Sequence, residues 1–123
     1  MTVTTYRGTK AYHLVFSELI SAARYRGNIT YQEIARLMGL PLTGNYMGSR
    51  VSRLLSEIAE DETTAGRPIL SAIVVNAKGA PGKGFFDMAR TLGRLDGSSE
   101  KAERNFLRRE ARAVYDCWKT PPC

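Results

Sequence analysis

NITYQEIARLMGLPLTGNYMGSRVSR, residues Asn28 to Arg53, reads as a helix, a short turn and a second helix. Thr30 and Glu33 have the S/T-x-x-E spacing of a capping box. The threonine oxygen accepts from the amide three residues on, and the glutamate reaches back to the cap amide. Ile34, Leu37 and Met38 repeat at helical spacing. Gly39-Leu40-Pro41 ends the run, because glycine tolerates the left-handed conformation and proline cannot extend the ladder. A second apolar stripe follows at Met47, Val51, Leu54, Leu55 and Ile58. Two short helices with so brief a connection predict a helix-turn-helix, a motif that often serves nucleic acid.

Upstream, Met1–Thr9 is polar and threonine-rich, which predicts a loose arm. Lys10–Tyr25 is a predicted helix with Tyr12, Phe16, Leu19, Ile20 and Ala23 on one face. The helix after Pro41 starts between Thr43 and Tyr46 and is expected to end near Asp61, with Asp61–Gly66 as a loop. Ile69–Ala77 (ILSAIVVNA) is the one clear strand, rich in β-branched residues. Lys78–Gly84 (KGAPGKG) is a tight basic turn. Phe85 and Phe86 then begin either a second strand or a helix through Leu92. Ser98 or Ser99 caps a last helix, Glu100–Lys119, with Leu107, Ala111, Val114 and Trp118 as its apolar stripe. The order helix, helix, helix, strand, basic turn, second strand predicts a mainly α protein with a small β-hairpin. That is a winged helix-turn-helix with an appended C-terminal helix over residues 98–119.

The chain has 123 residues, 43% of them apolar, which suits one domain with its own core. Lysine and arginine exceed the acids by 18 to 12, for a net charge of +6 that favours polyanionic partners. No apolar run is long enough to cross a bilayer, so no membrane partner is expected. The first residues, MTVTTYRGTK, lack the apolar centre of a secretory signal, and a cytoplasmic location follows as the expectation. His13 is the sole histidine and Cys117 and Cys123 lack metal-ligand spacing, so no metal or other cofactor is expected. Cys117 is expected to pack on its helix and Cys123 to remain a free thiol. The spacing allows a disulfide between them, which a reducing compartment disfavours.

Thr30–Gly48 (TYQEIARLMGLPLTGNYMG) resembles the helix-turn-helix of the alkylguanine-DNA alkyltransferases and alkyltransferase-like proteins, with matches at Tyr31, Ile34, Ala35, Gly39, Pro41 and Gly48. Pro68–Gly79 is similar to that family's alkyl-acceptor segment, P-C-H-R-V-V and a glycine turn, with matches at Val74, Val75 and Gly79. Together the matches span about half the chain, in order. The resemblance implies a winged-helix scaffold suited to DNA. It does not extend to the chemistry, because the acceptor cysteine falls at Ser71 and its proline, histidine and arginine fall at Leu70, Ala72 and Ile73. A serine without a base is a poor nucleophile. The family's intercalating arginine falls at Asn45 and its asparagine hinge near Gly66-Arg67, so base flipping in that manner is not expected either.

The candidate DNA contacts are Thr43, Asn45, Tyr46, Ser49, Arg50 and Arg53 on the non-apolar side of the third helix, against the alternative of a solvated face. Its acids, Glu57, Glu60 and Asp61, follow at the far end, the wrong polarity for the helix dipole. Tyr31 and Gln32 open the second helix, whose free amides suit a phosphate; Tyr31 packing on Ile29 or the first helix is the alternative. Lys78 and Lys83 lie on the basic turn, which lacks the P-loop pattern. Arg104, Arg108 and Arg112 step along the last helix beside Arg109, interrupted by Glu103 and Glu110, and a solvated face is the plainer reading. No paired carboxylates and no Ser/His/Asp or Cys/His set accompany them, so no enzyme is expected. The expected function is non-catalytic binding of duplex DNA. The alternative is a protein-docking adaptor or inhibitor on the same scaffold, with a homodimer through the last helix also open.

Overall fold

The computed structural model describes residues 5–41, 46–82, 84–119 and 122–123, with only the backbone of residues 46 and 47. Five α-helices and a two-stranded sheet are present among the described residues. Their order is α1 (Lys10–Arg24), β1 (Ile29–Thr30), α2 (Tyr31–Leu37), α3 (Tyr46–Thr64), a 3₁₀ turn (Leu70–Ile73), β2 (Val74–Val75), α4 (Phe85–Thr91) and α5 (Glu100–Trp118).

Helix starts follow the local signals. Thr9 caps α1 by accepting from the Tyr12 amide, and Ser99 caps α5 by accepting from Ala102. Both halves of the Thr30–Glu33 capping box form at α2. The ends of α1 to α4 share one device. At α2 the Gly39 amide bonds to Arg36 and the Leu40 amide to Ala35, with Gly39 at φ +75°. That double closure satisfies carbonyls the helix would leave unpaired. α1 ends the same way, but its left-handed position is held by Arg26 at φ +56°, where a side chain is costly.

The 3₁₀ turn is the hub. Leu70, Ser71, Ala72 and Ile73 are all buried, between α1, α3 and α5. Around them pack Val15, Leu19 and Ala23 of α1, Ile34 and Ala35 of α2, Val51, Leu54 and Ile58 of α3, and Phe106 and Val114 of α5. A fully buried segment has no polar side to alternate with, so its β-branched run looked like a strand. Only Val74–Val75 is strand.

Several expectations require correction. Among the described residues there is no β-hairpin: β2 pairs in parallel with β1, Ile29 beside Val74 and Thr30 beside Val75. Phe85 and Phe86 begin α4, which ends at Thr91. α3 does not stop near Asp61 but runs to Thr64, because Glu57 and Glu62 are buried in it rather than facing a loop. The N-terminal segment is not loose over residues 5–9. The Tyr6 and Arg7 amides donate to Glu57 Oε1 at 2.8 and 2.9 Å, and the Arg7 guanidinium meets Glu60 and Asp61 at 2.5 and 3.0 Å. Cys123 is disulfide-bonded to Cys117 instead of free. On α5 the buried positions are Phe106, Glu110, Val114 and Cys117, while Leu107, Ala111 and Trp118 are half-buried. The core face is therefore turned by one position from the apolar stripe, because Glu110 points inward.

No helix among the described residues is long and apolar enough to cross a membrane.

Candidate nucleic-acid interface

α3 packs on α2, and its two ends differ chemically. Ser49 and Arg50 are exposed in its N-terminal half, ahead of any acid. Arg53 comes next, with its side chain 45% exposed and its Nε 3.3 Å from Glu57 Oε2. It is thus held against an acid of its own helix, across a part-buried i,i+4 pair. Glu57 divides its oxygens: Oε1 accepts from the Tyr6 and Arg7 amides and the Thr5 hydroxyl, and Oε2 faces Arg53. Burial pushes the Glu57 carboxyl up, but these donors together hold it below the ordinary glutamate value.

The rest of the acidic end is consumed internally. The Asp61 carboxylate meets both Arg7 and the Tyr12 hydroxyl, and burial followed by that hydrogen bond raises the Tyr12 pKa well above the usual phenol value. Glu62 is fully buried and receives Arg67 at 2.7 Å. The Arg67 guanidinium also lies 5.5 Å from the Trp118 ring centre. Acids that weaken the basic end in sequence are therefore neutralised by Arg7 and Arg67 in space.

The remaining candidates separate into three groups. Gln32 is exposed in the first turn of α2, as expected for a phosphate contact. Tyr31 is half-buried and does not stand free, nor does it only pack on Ile29. Its hydroxyl is hydrogen-bonded to the backbone of Gly82, and burial raises its pKa. A Cβ at residue 82 would fall 1.9 Å from that hydroxyl, so only glycine permits the contact. Lys78 is exposed on a turn closed by Asn76, whose side chain accepts from the Lys78 and Ala80 amides at 2.9 and 3.1 Å. This turn leads from β2 to α4 and is not the tip of a hairpin. Thr43, Asn45 and Lys83 lie outside the described residues, as does the side chain of Tyr46.

A hollow of about 140 Å³ opens beneath α3, between Ser52, Ser56, Tyr31, Ser71, Phe85 and Met88. Of these residues the sequence singled out only Tyr31, as a backbone contact, and Ser71, considered as a nucleophile. The available signal was the spacing of Ser52 and Ser56. Small side chains four residues apart leave a gap along one helix face. The Ser71 hydroxyl is buried without a hydrogen-bond partner at the floor of this region. It has no base within reach among the described residues, so its chemistry is donation or acceptance of a hydrogen bond and not attack. No group of three or more potential metal ligands occurs among the described residues.

Comparison of the chain with family models, curated proteins and solved structures gave no match.

Proposed function

We propose that this protein binds duplex DNA without performing a reaction on it, using the N-terminal half of α3 in a groove. The observation that carries the reading is the sorting of charge along α3. Ser49, Arg50 and Arg53 face solvent, while Glu57, Asp61 and Glu62 are engaged by residues 5–7, Tyr12 and Arg67. A helix whose base-reading end is cationic, and whose acids are internally balanced, meets a polyanion without a like-charge penalty.

Within this reading α2 and α3 act as a winged helix-turn-helix pair. The Asn76–Ala80 turn, with Lys78 and the adjoining Lys83, stands in for a wing tip. Gln32 and the first amides of α2 grip a phosphate, and Thr43, Asn45 and Tyr46 extend the groove contacts. A cytoplasmic location belongs to the same proposal. The resemblance to the alkyltransferase-like proteins supports the scaffold, and the serine at position 71 supports binding over alkyl transfer. The protein-docking alternative draws on exposed Leu14 and Tyr25 of the α1 region. Two separate apolar side chains are ordinary on a surface, so they do not displace the DNA reading.

The test is fluorescence anisotropy with a labelled duplex at two salt concentrations. Replacing both Arg50→Ala and Arg53→Ala is expected to weaken binding at least tenfold, about 1.4 kcal/mol, with an unchanged circular dichroism spectrum. Equal affinity of the double variant and the parent would remove α3 from the interface.

A further inference from the structure

Glu103 and Glu110 interrupt the arginines of α5 in sequence but not in space. Glu110 turns inward, accepting from the Ile69 amide at 2.8 Å and from Arg94 at 2.8 Å. Glu103 is taken by Arg90. On the outer side, Arg104, Arg108 and Arg112 follow one another at intervals of about 6 Å along the helix axis. Among the described residues, Arg108 and Arg112 meet no carboxylate. Arg104 approaches only Glu100, at 3.9 Å with both side chains well exposed, a pair of negligible strength. Arg26 joins the row from the end of α1, its guanidinium 5.1 Å from the Tyr115 ring centre. Its pairing with Asp116 is long, at 3.8 Å, and exposed.

Beside this row lie two hollows of about 340 and 400 Å³. The first is floored by Ala72, Val75, Pro81 and Leu107, and the second runs past Tyr115 to Arg26 and Arg112. Arg108 and Ala111 line both, so the hollows are neighbours along α5, and we read them together as one trough with apolar residues between cationic ones. The Tyr115 hydroxyl donates to the Gly27 carbonyl at 3.0 Å and lies 3.2 Å from Asn28 Oδ1, which fixes the ring at the trough's end.

We propose that this trough binds single-stranded nucleic acid, the arginines holding the phosphates of one strand while its bases lie on the apolar floor. A single strand has charge along one edge and planar apolar faces along the other, the same division as the trough. A duplex hides its base faces in stacking and offers this surface only phosphates. An acidic polypeptide has the charge but no planar faces. Arginine suits the role better than lysine, because its planar fork binds phosphate oxygens in pairs and stacks on bases. All four cations of α5 between residues 104 and 112 are arginine. The Arg26–Tyr115 pair supplies a ready planar platform at one end.

The experiment is anisotropy with a labelled oligothymidylate, alone and against unlabelled competitors. The triple variant Arg104→Gln, Arg108→Gln and Arg112→Gln should bind the oligonucleotide at least tenfold more weakly. The slope of log affinity against log salt should fall by about 2, at roughly 0.7 per phosphate contact on a single strand. The triple Arg→Lys variant should retain part of the affinity. The Arg50→Ala, Arg53→Ala variant should bind the single strand normally, which keeps this surface separate from α3. Circular dichroism and the urea midpoint of the triple variants should match the parent, since all three side chains are exposed. Undiminished oligothymidylate binding by the glutamine variant overturns the proposal. So does displacement by inorganic polyphosphate at equal phosphate concentration, which would leave the floor without a role. Equally effective displacement by polyglutamate would make the trough a surface for acidic protein instead.

Discussion

α3 and α5 are both nineteen residues long, and both carry exposed arginines beside buried acids, Glu57 and Glu62 on α3 and Glu110 on α5. They differ in where the glutamates find their donors. On α3, Glu57 turns one oxygen to Arg53 of its own helix and the other to the chain at Thr5–Arg7. On α5, Glu103 and Glu110 draw on Arg90 and Arg94, from α4 and the segment behind it. The consequence is that α3 gives up part of its cationic face, while on α5 Arg108 and Arg112 meet no carboxylate among the described residues. The reach of each buried acid, more than the number of basic residues, decides how much positive charge a helix offers.

Removing the α5 anchor is the strongest way to break this contrast. Glu110→Ala leaves the Ile69 amide and the Arg94 guanidinium without their acceptor. Half-exposed Arg94 recovers some hydration, so a loss of about 2–3 kcal/mol in urea unfolding is expected. A loss below about 1 kcal/mol would mean that Glu110 does not fix the rotation of α5, and the clean separation of acids from arginines would go with it.

Acid should act mainly on α3. The folded-state pKa of Glu57 lies below its ordinary value of 4.5. As pH falls, the unfolded chain therefore takes up this proton first. Glu57 contributes stability above the ordinary glutamate range and loses it as pH drops through the lower folded value. Urea midpoints measured from neutral pH into the acid range should decline more steeply for the parent than for Glu57→Gln. Parallel curves would remove the Glu57 cluster as a source of acid lability.

The smallest effect sharpens the comparison most. In Glu57→Gln the amide oxygen can keep the bonds from Thr5, Tyr6 and Arg7, while the NH₂ replaces the oxygen that held Arg53. If α3 enters a groove, releasing Arg53 from the part-buried Glu57 should tighten duplex binding at low salt by roughly twofold or more, and the gain should fade as salt rises. Weaker binding in this variant would show that Glu57 positions Arg53 for DNA instead of withholding it.

Sequence reasoning read the helices well wherever a short-range bond sets the end. The Thr30–Glu33 box, the Gly39 stop and the Ser98/Ser99 cap all involve partners within a few residues, and each formed within a residue or so of its expected place. The candidate site was only partly legible. Gln32, Ser49, Arg50, Arg53 and Lys78 are exposed as their polar pattern implied. The partner of Tyr31 was hidden, because Gly82 lies far along the chain and glycine announces a close approach without saying to what.

The amino-acid sequence by itself determined the basic balance, the capped starts of α2 and α5, the glycine stop of α2 and the absence of an acceptor thiol at position 71. These depend on composition or on hydrogen bonds that close within one turn. The tertiary structure alone decided that β2 pairs in parallel with β1, that residues 70–73 form a buried 3₁₀ turn, and that Glu110 of α5 faces inward. Those outcomes depend on which distant segment supplies the partner. A carboxylate carries the same letter whether it neutralises its neighbour in sequence or an arginine on another element.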